Sequence, residues 1–166
     1  MSLALPPSLW TLLDTYFYNL VLAWCAKYNE LANAQIVIAD QFDPGAVKMP
    51  FILIRATERK MAEGEPMFGD GEYHLDGIYY PYEFVVTNSF EEMADAKTFA
   101  SNASAALTVE LALDPYMGGL AAADGEYVKQ FEYDDGELYI TGLAGQKPEG
   151  RYTGAACVRI RVLTER

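Results

Sequence analysis

The side chains best suited to acid–base chemistry lie in an acidic stretch near the middle of the chain. His74 is the only histidine, and Asp70, Glu72 and Asp76 lie close to it in sequence. A histidine beside a carboxylate can take up and release a proton near neutral pH, as a general acid or base must. A single loop histidine among solvated acids is more often a surface residue, and we interpret His74 in that way.

Two groups of carboxylates have the composition of a cation site. Asp70, Glu72 and Asp76 have some likeness to a calcium loop, but the glutamate that follows the central turn of such a loop is absent. The second group surrounds a predicted hairpin turn, where exposure to water explains the acids more simply; it consists of Glu132, Asp134, Asp135 and Glu137. We therefore predict no metal site.

Motifs for a cofactor or a nucleophile are also missing from the sequence. Gly69-Asp70-Gly71 is too short and too acidic to hold a phosphate, and no Gly-x-Ser-x-Gly turn occurs. Cys25 and Cys157 lie in apolar stretches, which is typical of buried free thiols and not of a disulfide or zinc framework. We expect no catalytic residue and no cofactor, in a chain compatible with a reducing cytoplasm.

The charge of the chain limits the partners it can bind. Its 166 residues carry a formal net charge of −12, which disfavours a general nucleic-acid binder because phosphate contacts need lysine and arginine. Basic residues gather near the C-terminus, where Arg159 and Arg161 lie on one side of a predicted strand. These arginines could touch phosphate, but the net charge favours pairing with an acidic surface or plain solvation.

The N-terminal part of the sequence indicates a long helix followed by a short strand. A Pro-Pro-Ser sequence ending at Ser8 suits a helix start, and apolar residues at helical spacing predict a helix over residues 8–32. This helix is apolar nearly all round, with Trp10 outside its main face, so it should be covered on more than one side. Its polar residues and the lack of a preceding basic residue argue against a membrane span and a secretion signal. Residues 35–39 are predicted to form the short strand that follows.

The middle of the sequence predicts two strands joined by a long loop. Residues 51–60 begin with an apolar run, and residues 78–87 alternate between two faces with the period of a strand. Residues 63–77 between them lack periodicity and are rich in glycine and acids, which indicates a loop. Pro81 cannot donate a hydrogen bond to a neighbouring strand, so we expect either that its strand is at the edge of the sheet or that the backbone at this position points outward.

The sequence Ser89-Phe90-Glu91-Glu92 matches a capping box at the start of a second helix. The Ser89 hydroxyl would accept from the N–H of Glu92, and the Glu92 carboxylate would reach back to Ser89. Loss of the hydroxyl would then cost about 1 kcal/mol. The helix is predicted over residues 90–113, and its many alanines permit a close approach to a sheet.

The last third of the sequence predicts a hairpin and a final strand. Residues 126–133 and 138–143 would pair across a turn at Asp134-Asp135-Gly136. The final strand, residues 157–163, alternates, which places Val158, Ile160 and Val162 inward and Arg159 and Arg161 outward. Helices and antiparallel strand runs in this order predict one α+β domain over residues 1–166, mainly an antiparallel sheet packed against two helices.

This order of elements resembles the tail terminator and related neck proteins of long-tailed bacteriophages, the family of the phage lambda tail terminator. The resemblance rests on an N-terminal helix, the strand pair 51–60 and 72–87, the strand-to-helix passage VVTNSFEE over residues 85–92, a hairpin, and the final strand CVRIRVL. It is architectural and covers most of the chain, which appears longer than a minimal member at residues 61–77 and 114–125.

The resemblance implies a homohexameric ring without enzymatic activity. Such a ring caps the growing tail tube and joins it to the head connector, so the expected partners are further copies of this chain, tail tube protein and connector protein. DNA only passes through the lumen of the ring, and no membrane is involved. The implied location is the virion, after assembly in the host cytoplasm.

Two contact surfaces follow as hypotheses. A basic strand of one subunit would meet the acidic turn and the exposed helix of the next, using Trp10, Glu132, Asp134, Asp135, Glu137, Arg159 and Arg161. A partner-contact loop would use Met67, Phe68, Asp70 and His74. Two alternatives remain open: a small-molecule or peptide-binding module with an aromatic wall at Tyr79–Tyr82, and an enzyme with an unrecognised carboxylate site.

Overall fold

The structure is a computed structural model that describes residues 3–38, 48–56, 60–61, 68–69, 72–73, 78–141 and 151–165. Side chains are described within these ranges except at residues 60–61, 68–69, 72–73, 78 and 135–141. The helices are α1 (Leu9–Cys25), α2 (Met93–Ala112) and a short 3-10 helix (Met117–Gly119). The strands are β1 (Gln35–Ile38), β2 (Phe51–Ala56), β3 (Lys60–Met61), β4 (Phe68–Gly69), β5 (Glu72–Tyr73), β6 (Ile78–Phe90), β7 (Tyr127–Thr141) and β8 (Tyr152–Glu165).

The main sheet has the strand order β1-β2-β6-β8-β7, and β3 also pairs with β6. β1 runs parallel to β2, whereas β6 is antiparallel to β2, β3 and β8, and β7 is antiparallel to β8. β4 and β5 form a separate pair. Two helices and a mostly antiparallel sheet in one domain confirm the predicted α+β class.

The hydrophobic core lies between the sheet and the two helices. Phe17 of α1 packs on Tyr82 and Phe84 of β6, with ring centroids 4.6 and 5.1 Å apart. The inward residues of the last strand are buried as predicted, namely Val158, Ile160 and Val162. We call the side of the sheet that contacts the helices the helix face and the opposite side the far face.

Helix α1 begins where the sequence predicted and ends earlier. The Ser8 hydroxyl caps it by accepting from the backbone N–H of Thr11 at 3.3 Å. The helix ends at Cys25 and not at residue 32, because the next residues, Lys27–Glu30, are polar or amphipathic and exposed. Turns then carry the chain back so that Leu31 is buried. Among the described residues, neither helix has the length and apolar character needed to cross a membrane.

The predicted edge position of Pro81 is wrong. Its strand, β6, is central in the sheet, between β2 and β8. β2 pairs with β6 as far as Tyr82, and the pairing of β3 begins at Tyr79. Pro81 therefore lies opposite the interval between two short partner strands. The missing N–H of Pro81 therefore breaks no hydrogen bond in the described pairing of β6 with β2 or β3.

The predicted capping box at Ser89 is also wrong. Ser89 is still part of β6, and the N-cap residue of α2 is Glu92, whose side chain makes no capping hydrogen bond. The Ser89 hydroxyl instead accepts from Nε of Arg151 at 3.0 Å. Pairing of β6 with β8 continues through Phe90. Residues 89 and 90 are therefore part of a strand and not of the first turn of a helix.

The predicted hairpin at Asp134-Asp135-Gly136 does not form. β7 runs straight through these residues as one strand beside β8. Asp134 pairs with Arg159 and Glu137 with Cys157, so Asp135 and Gly136 together lie opposite Val158. The turn-like sequence therefore makes a β-bulge, in which one extra residue is absorbed without reversing the chain.

Candidate functional site

Three arginines and three acids lie together on the far face of the sheet. The Glu83 carboxylate accepts from Arg55 at 2.8 Å and from Arg159 at 3.0 Å. The three residues sit on adjacent strands, because Glu83 pairs in register with Arg55 of β2 and Arg159 of β8. Glu83 is only 13% exposed, so two cations compensate one largely buried carboxylate.

The remaining members of this group are Glu132, Asp134 and Arg161. Glu132 and Arg161 are register partners with a 3.9 Å ion pair, and the Arg161 guanidinium lies 5.8 Å from the ring centre of Tyr79. Asp134 is the register partner of Arg159. We call this group the charged band; it consists of Arg55, Glu83, Glu132, Asp134, Arg159 and Arg161. Two acids of β7 therefore have basic register partners on β8 of the same chain.

Two arginine side chains of the charged band are incompletely paired and partly exposed. The Nε atoms of Arg55 and Arg161 are shielded from solvent and have no hydrogen-bond partner among the described residues. Their side chains are about 40% exposed overall. A groove of about 220 Å³ lies along the band, between Tyr79 and Asp134. The band is thus a polar surface that can accept carboxylate or carbonyl groups from a partner, since arginine offers several donors in one plane.

The predicted interface residues do not all lie on one surface. Arg159, Arg161, Glu132 and Asp134 meet on the far face, as described above. Trp10 lies on the helix face, where its ring packs edge-on against Tyr80 at 5.5 Å. The two other predicted residues, Asp135 and Glu137, are in β7 at the bulge, and their side chains lie outside the described part of the chain.

The predicted partner-contact loop is mostly outside the described residues. Met67, Asp70 and His74 are not described. Phe68 is in β4 and pairs with Tyr73 of β5, but its side chain is not described. The partner-contact hypothesis for this loop stays a prediction.

The aromatic wall at Tyr79–Tyr82 does not exist as a surface. Successive residues of β6 face opposite sides of the sheet, and both Tyr80 and Tyr82 are buried on the helix face. Their hydroxyls donate to Glu126 at 3.0 Å and to Asp14 at 2.7 Å. Partnered tyrosine hydroxyls of this kind are a structural feature of the core.

Sequence reasoning missed the buried carboxylate of Glu126. Its side chain is 2% exposed and accepts from the hydroxyls of both Tyr80 and Thr164. Glutamate is rarely buried unless it is partnered. In the sequence Glu126 follows an Asp-Gly turn and reads as one more surface acid, so no local signal distinguishes it from the exposed acids nearby.

An exposed polar cluster closes the end of β7 and β8. Glu165 accepts from Lys129 at 2.6 Å and from the Tyr127 hydroxyl at 2.7 Å. The hydrogen bond from Lys129, joined by that from Tyr127, lowers the pKa of the Glu165 carboxyl. The pKa of Lys129 is raised, mainly by the same hydrogen bond to Glu165. The cluster is solvated and holds the two strand ends together.

A cavity of about 390 Å³ lies between the end of α1 and the first half of α2. Aromatic rings from both sides form its walls: Trp24, Tyr28 and Phe99. The Nε1 atom of Trp24 is buried and has no hydrogen-bond partner among the described residues. The cavity was not foreseen, because it depends on how far apart two helices lie on the sheet, which no local pattern encodes.

Two kinds of reactive group bear on what the described residues could do, a metal cluster and an ionised thiol. Within the described residues, no three histidine, cysteine or acidic side chains gather in a way that could hold a metal ion. Cys25 is a buried thiol whose pKa burial raises to about 11, so little of it is thiolate at neutral pH. In the described part of the chain, the buried side-chain donors without a partner lie in the charged band and at Trp24.

Comparison with known proteins adds little to this description. No family model matches the chain, and no curated protein matches it. A solved structure named only by a sequence identifier is similar over 91% of this chain and 93% of its own, with 14% identity and a TM-score of 0.44. That likeness is too low to support an argument about function.

Proposed function

We propose that this chain is a virion assembly protein of a long-tailed bacteriophage or prophage, working as a ring-forming tail terminator or neck protein. In this role it caps the tail tube and joins it to the head connector, as a hexameric ring through which DNA passes. It has no enzymatic activity, and it assembles in the host cytoplasm before becoming part of the virion. The succession of an N-terminal helix, strands, a second helix and further strands supports this proposal, whereas the hairpin that the resemblance also used is replaced by the continuous strand β7.

The charged band is the observation that carries the proposal furthest. A polar, half-exposed sheet surface with unused arginine donors suits a contact between protein subunits. Each exposed charge pair contributes only about 0.2–1 kcal/mol, but a closed ring repeats the contact at every interface. The net charge of −12 supplies many carboxylates that another copy could present to the band.

The test compares the parent with two neutral variants by sedimentation velocity at low and high salt. Arg161→Gln removes a cation whose internal pair is long, at 3.9 Å. Lys129→Gln is the matched control, because Lys129 lies on β7 three residues before Glu132, outside the charged band, and bonds Glu165. Arg159→Glu is less suitable, since it would place a second carboxylate beside Glu83.

We expect the parent to sediment as a hexamer, Arg161→Gln to shift toward smaller species, and Lys129→Gln to behave as the parent. High salt should act as Arg161→Gln does, because it screens exposed charges. A parent that is monomeric at every concentration contradicts the ring. Deleting the gene from its genome tests the role in tail assembly. We expect overlong tails without heads, and normal virions would contradict the proposed role.

A binding module is the second candidate, and the helix cavity is the observation that favours it. A cavity with aromatic walls and one buried donor is a common form of ligand site. A module of this kind has no need to form rings. The sedimentation experiment therefore separates the two candidates before any ligand is known.

A further inference from the structure

The segment that precedes α1 is an exposed apolar arm. Residues 3–7, with the sequence Leu-Ala-Leu-Pro-Pro, form this N-terminal arm, and all five are exposed. Leu3 and Leu5 are each 93% exposed. Two fully hydrated leucines on one short segment are unfavourable in water. The segment therefore has the character of a surface that lacks its partner.

The arm is also stiff. Pro6 and Pro7 hold their own φ near −65° and bias the residue before each of them toward extended backbone. Ser8 continues this conformation with φ −70° and ψ 162°. A segment of this kind resembles a polyproline helix, which displays free carbonyl oxygens and loses little entropy when bound.

The helix cavity has the chemistry that recognises such a segment. Trp24 and Tyr28 meet edge to face with ring centroids 5.7 Å apart, and Phe99 faces them from α2. Grooves lined by aromatic rings bind extended proline-containing segments. The arm presents two exposed leucine side chains that such an apolar lining can cover. The two features are complementary.

The arm cannot fill the cavity of its own chain. Helix α1 has 17 residues, so about 25 Å of helix separates its start from the cavity at its end. Leu3 precedes Ser8 by five residues, and even a fully extended chain of that length reaches only about 18 Å. An arm that occupies the cavity must therefore come from a second molecule.

We propose that the N-terminal arm of one copy binds in the helix cavity of the next copy. Leu3 and Leu5 lie against the apolar lining of the cavity. Because arm and cavity are different surfaces, this contact is head-to-tail, and it generates a ring if the rotation closes and a filament if it does not. The inference needs only self-association, so it goes beyond the phage role and does not depend on it.

The experiment is sedimentation velocity over a concentration series of the full chain and three variants. The arm variant is Leu3→Asp with Leu5→Asp, and the cavity variant is Ala106→Trp, which fills the cavity from a half-buried wall position. The control is Val109→Asp with Leu113→Asp, two exposed apolar residues at the end of α2 that do not line the cavity. Circular dichroism melting checks that every variant folds.

We expect the arm and cavity variants to associate at least tenfold more weakly than the parent, and the control to associate as the parent does. If Ala106→Trp fails to fold, Asn102→Trp replaces it, because Asn102 is exposed at the cavity wall. The decisive sample is a mixture of the arm variant with the cavity variant. One intact arm and one intact cavity remain, so the mixture should form one-to-one dimers that neither variant forms through this contact alone.

Four results would overturn the inference. The first is a parent that stays monomeric throughout the series. The second is an arm variant that assembles as the parent does. That result would show that the arm is not needed for assembly, while a ring built on the charged band would remain possible. The third is a mixture that forms no dimer. A cavity that binds a small apolar dye equally well in assembled parent and in arm variant would show that the arm does not occupy it.

Discussion

The two helices cover the same face of the sheet in different ways. Helix α1 buries a row of large side chains: Leu9, Leu13, Phe17, Val21 and Trp24. Helix α2 buries small ones along much of its length, with Ala96, Ala100 and Ala103 among its buried residues. Large side chains hold a helix away from a sheet, whereas alanines let the backbones come close.

The close approach of α2 is visible at Gly154. A Cβ atom added there would lie 2.3 Å from the backbone oxygen of Ala96, so the strand and the helix are in backbone contact. The contrast with α1 teaches how the cavity arises. Large side chains keep α1 at a distance from the sheet, whereas alanines allow α2 to lie close to it. The cavity is the space that remains between the two helices near Trp24.

The helices also differ at their first turns. Ser8 caps α1 by a hydrogen bond, whereas α2 begins at Glu92 without a side-chain cap. α2 is therefore held in place by its packing on β8 more than by its own ends. The predictions that follow test this difference, and they run from the largest expected loss of stability to the smallest.

Removing the ring of Phe17 should have the largest effect. Phe17→Ala leaves a cavity between α1 and β6, and such truncations cost about 3–5 kcal/mol. The free energy of unfolding from urea titration measures it. Tyr18→Ala is the matched control, because Tyr18 is the next residue of the same helix and is 38% exposed. A loss below 1 kcal/mol for Phe17→Ala would mean that side-chain packing does not hold α1.

Adding one methyl group at Gly154 should have an intermediate effect. Gly154→Ala forces α2 away from β8, and overpacking of this kind costs about 1–3 kcal/mol. The double variant Gly154→Ala with Ala96→Gly sharpens the test, since the clash is with backbone of Ala96 and not with its side chain. We expect the double variant to stay destabilised. Full rescue would contradict backbone contact between α2 and β8.

The serines before the two helices should differ in their effects. Ser8→Ala removes a real cap and should lower the free energy of unfolding by about 1 kcal/mol. Ser89→Ala removes only a hydroxyl that accepts from Arg151, and about 0.5 kcal/mol is expected from an exposed hydrogen bond. Glu92→Ala is the control, because the Glu92 side chain caps nothing. Equal losses for Ser89→Ala and Ser8→Ala, with a comparable loss for Glu92→Ala, would restore the capping box.

Much of the architecture could be predicted from local pattern. The alternation of Val158, Ile160 and Val162 gave the buried side of β8, and the alanines of α2 predicted a close approach to the sheet. The start of α1 followed from Ser8 and two prolines. These features depend on residues near one another in sequence, where the period of a strand or helix and the geometry of a cap act directly.

Local signals were misleading where a long-range partner competed with them. Ser89 belongs to a motif that caps helices, and Asp134-Asp135-Gly136 to one that turns hairpins, yet pairing with β8 held both segments in strands. The same strand places Arg159 beside Glu83 and Arg161 beside Glu132, so charges that looked available to a neighbour are partly satisfied within the chain.

The sequence by itself determined the fold class, the acidic character and the inward and outward sides of the last strand. Tertiary structure alone decided the strand order, the central place of Pro81, the charged band and the cavity at Trp24. The physical reason is the range of the interactions. Periodicity and propensity act over a few residues, whereas register and helix spacing come from packing between segments far apart in the chain.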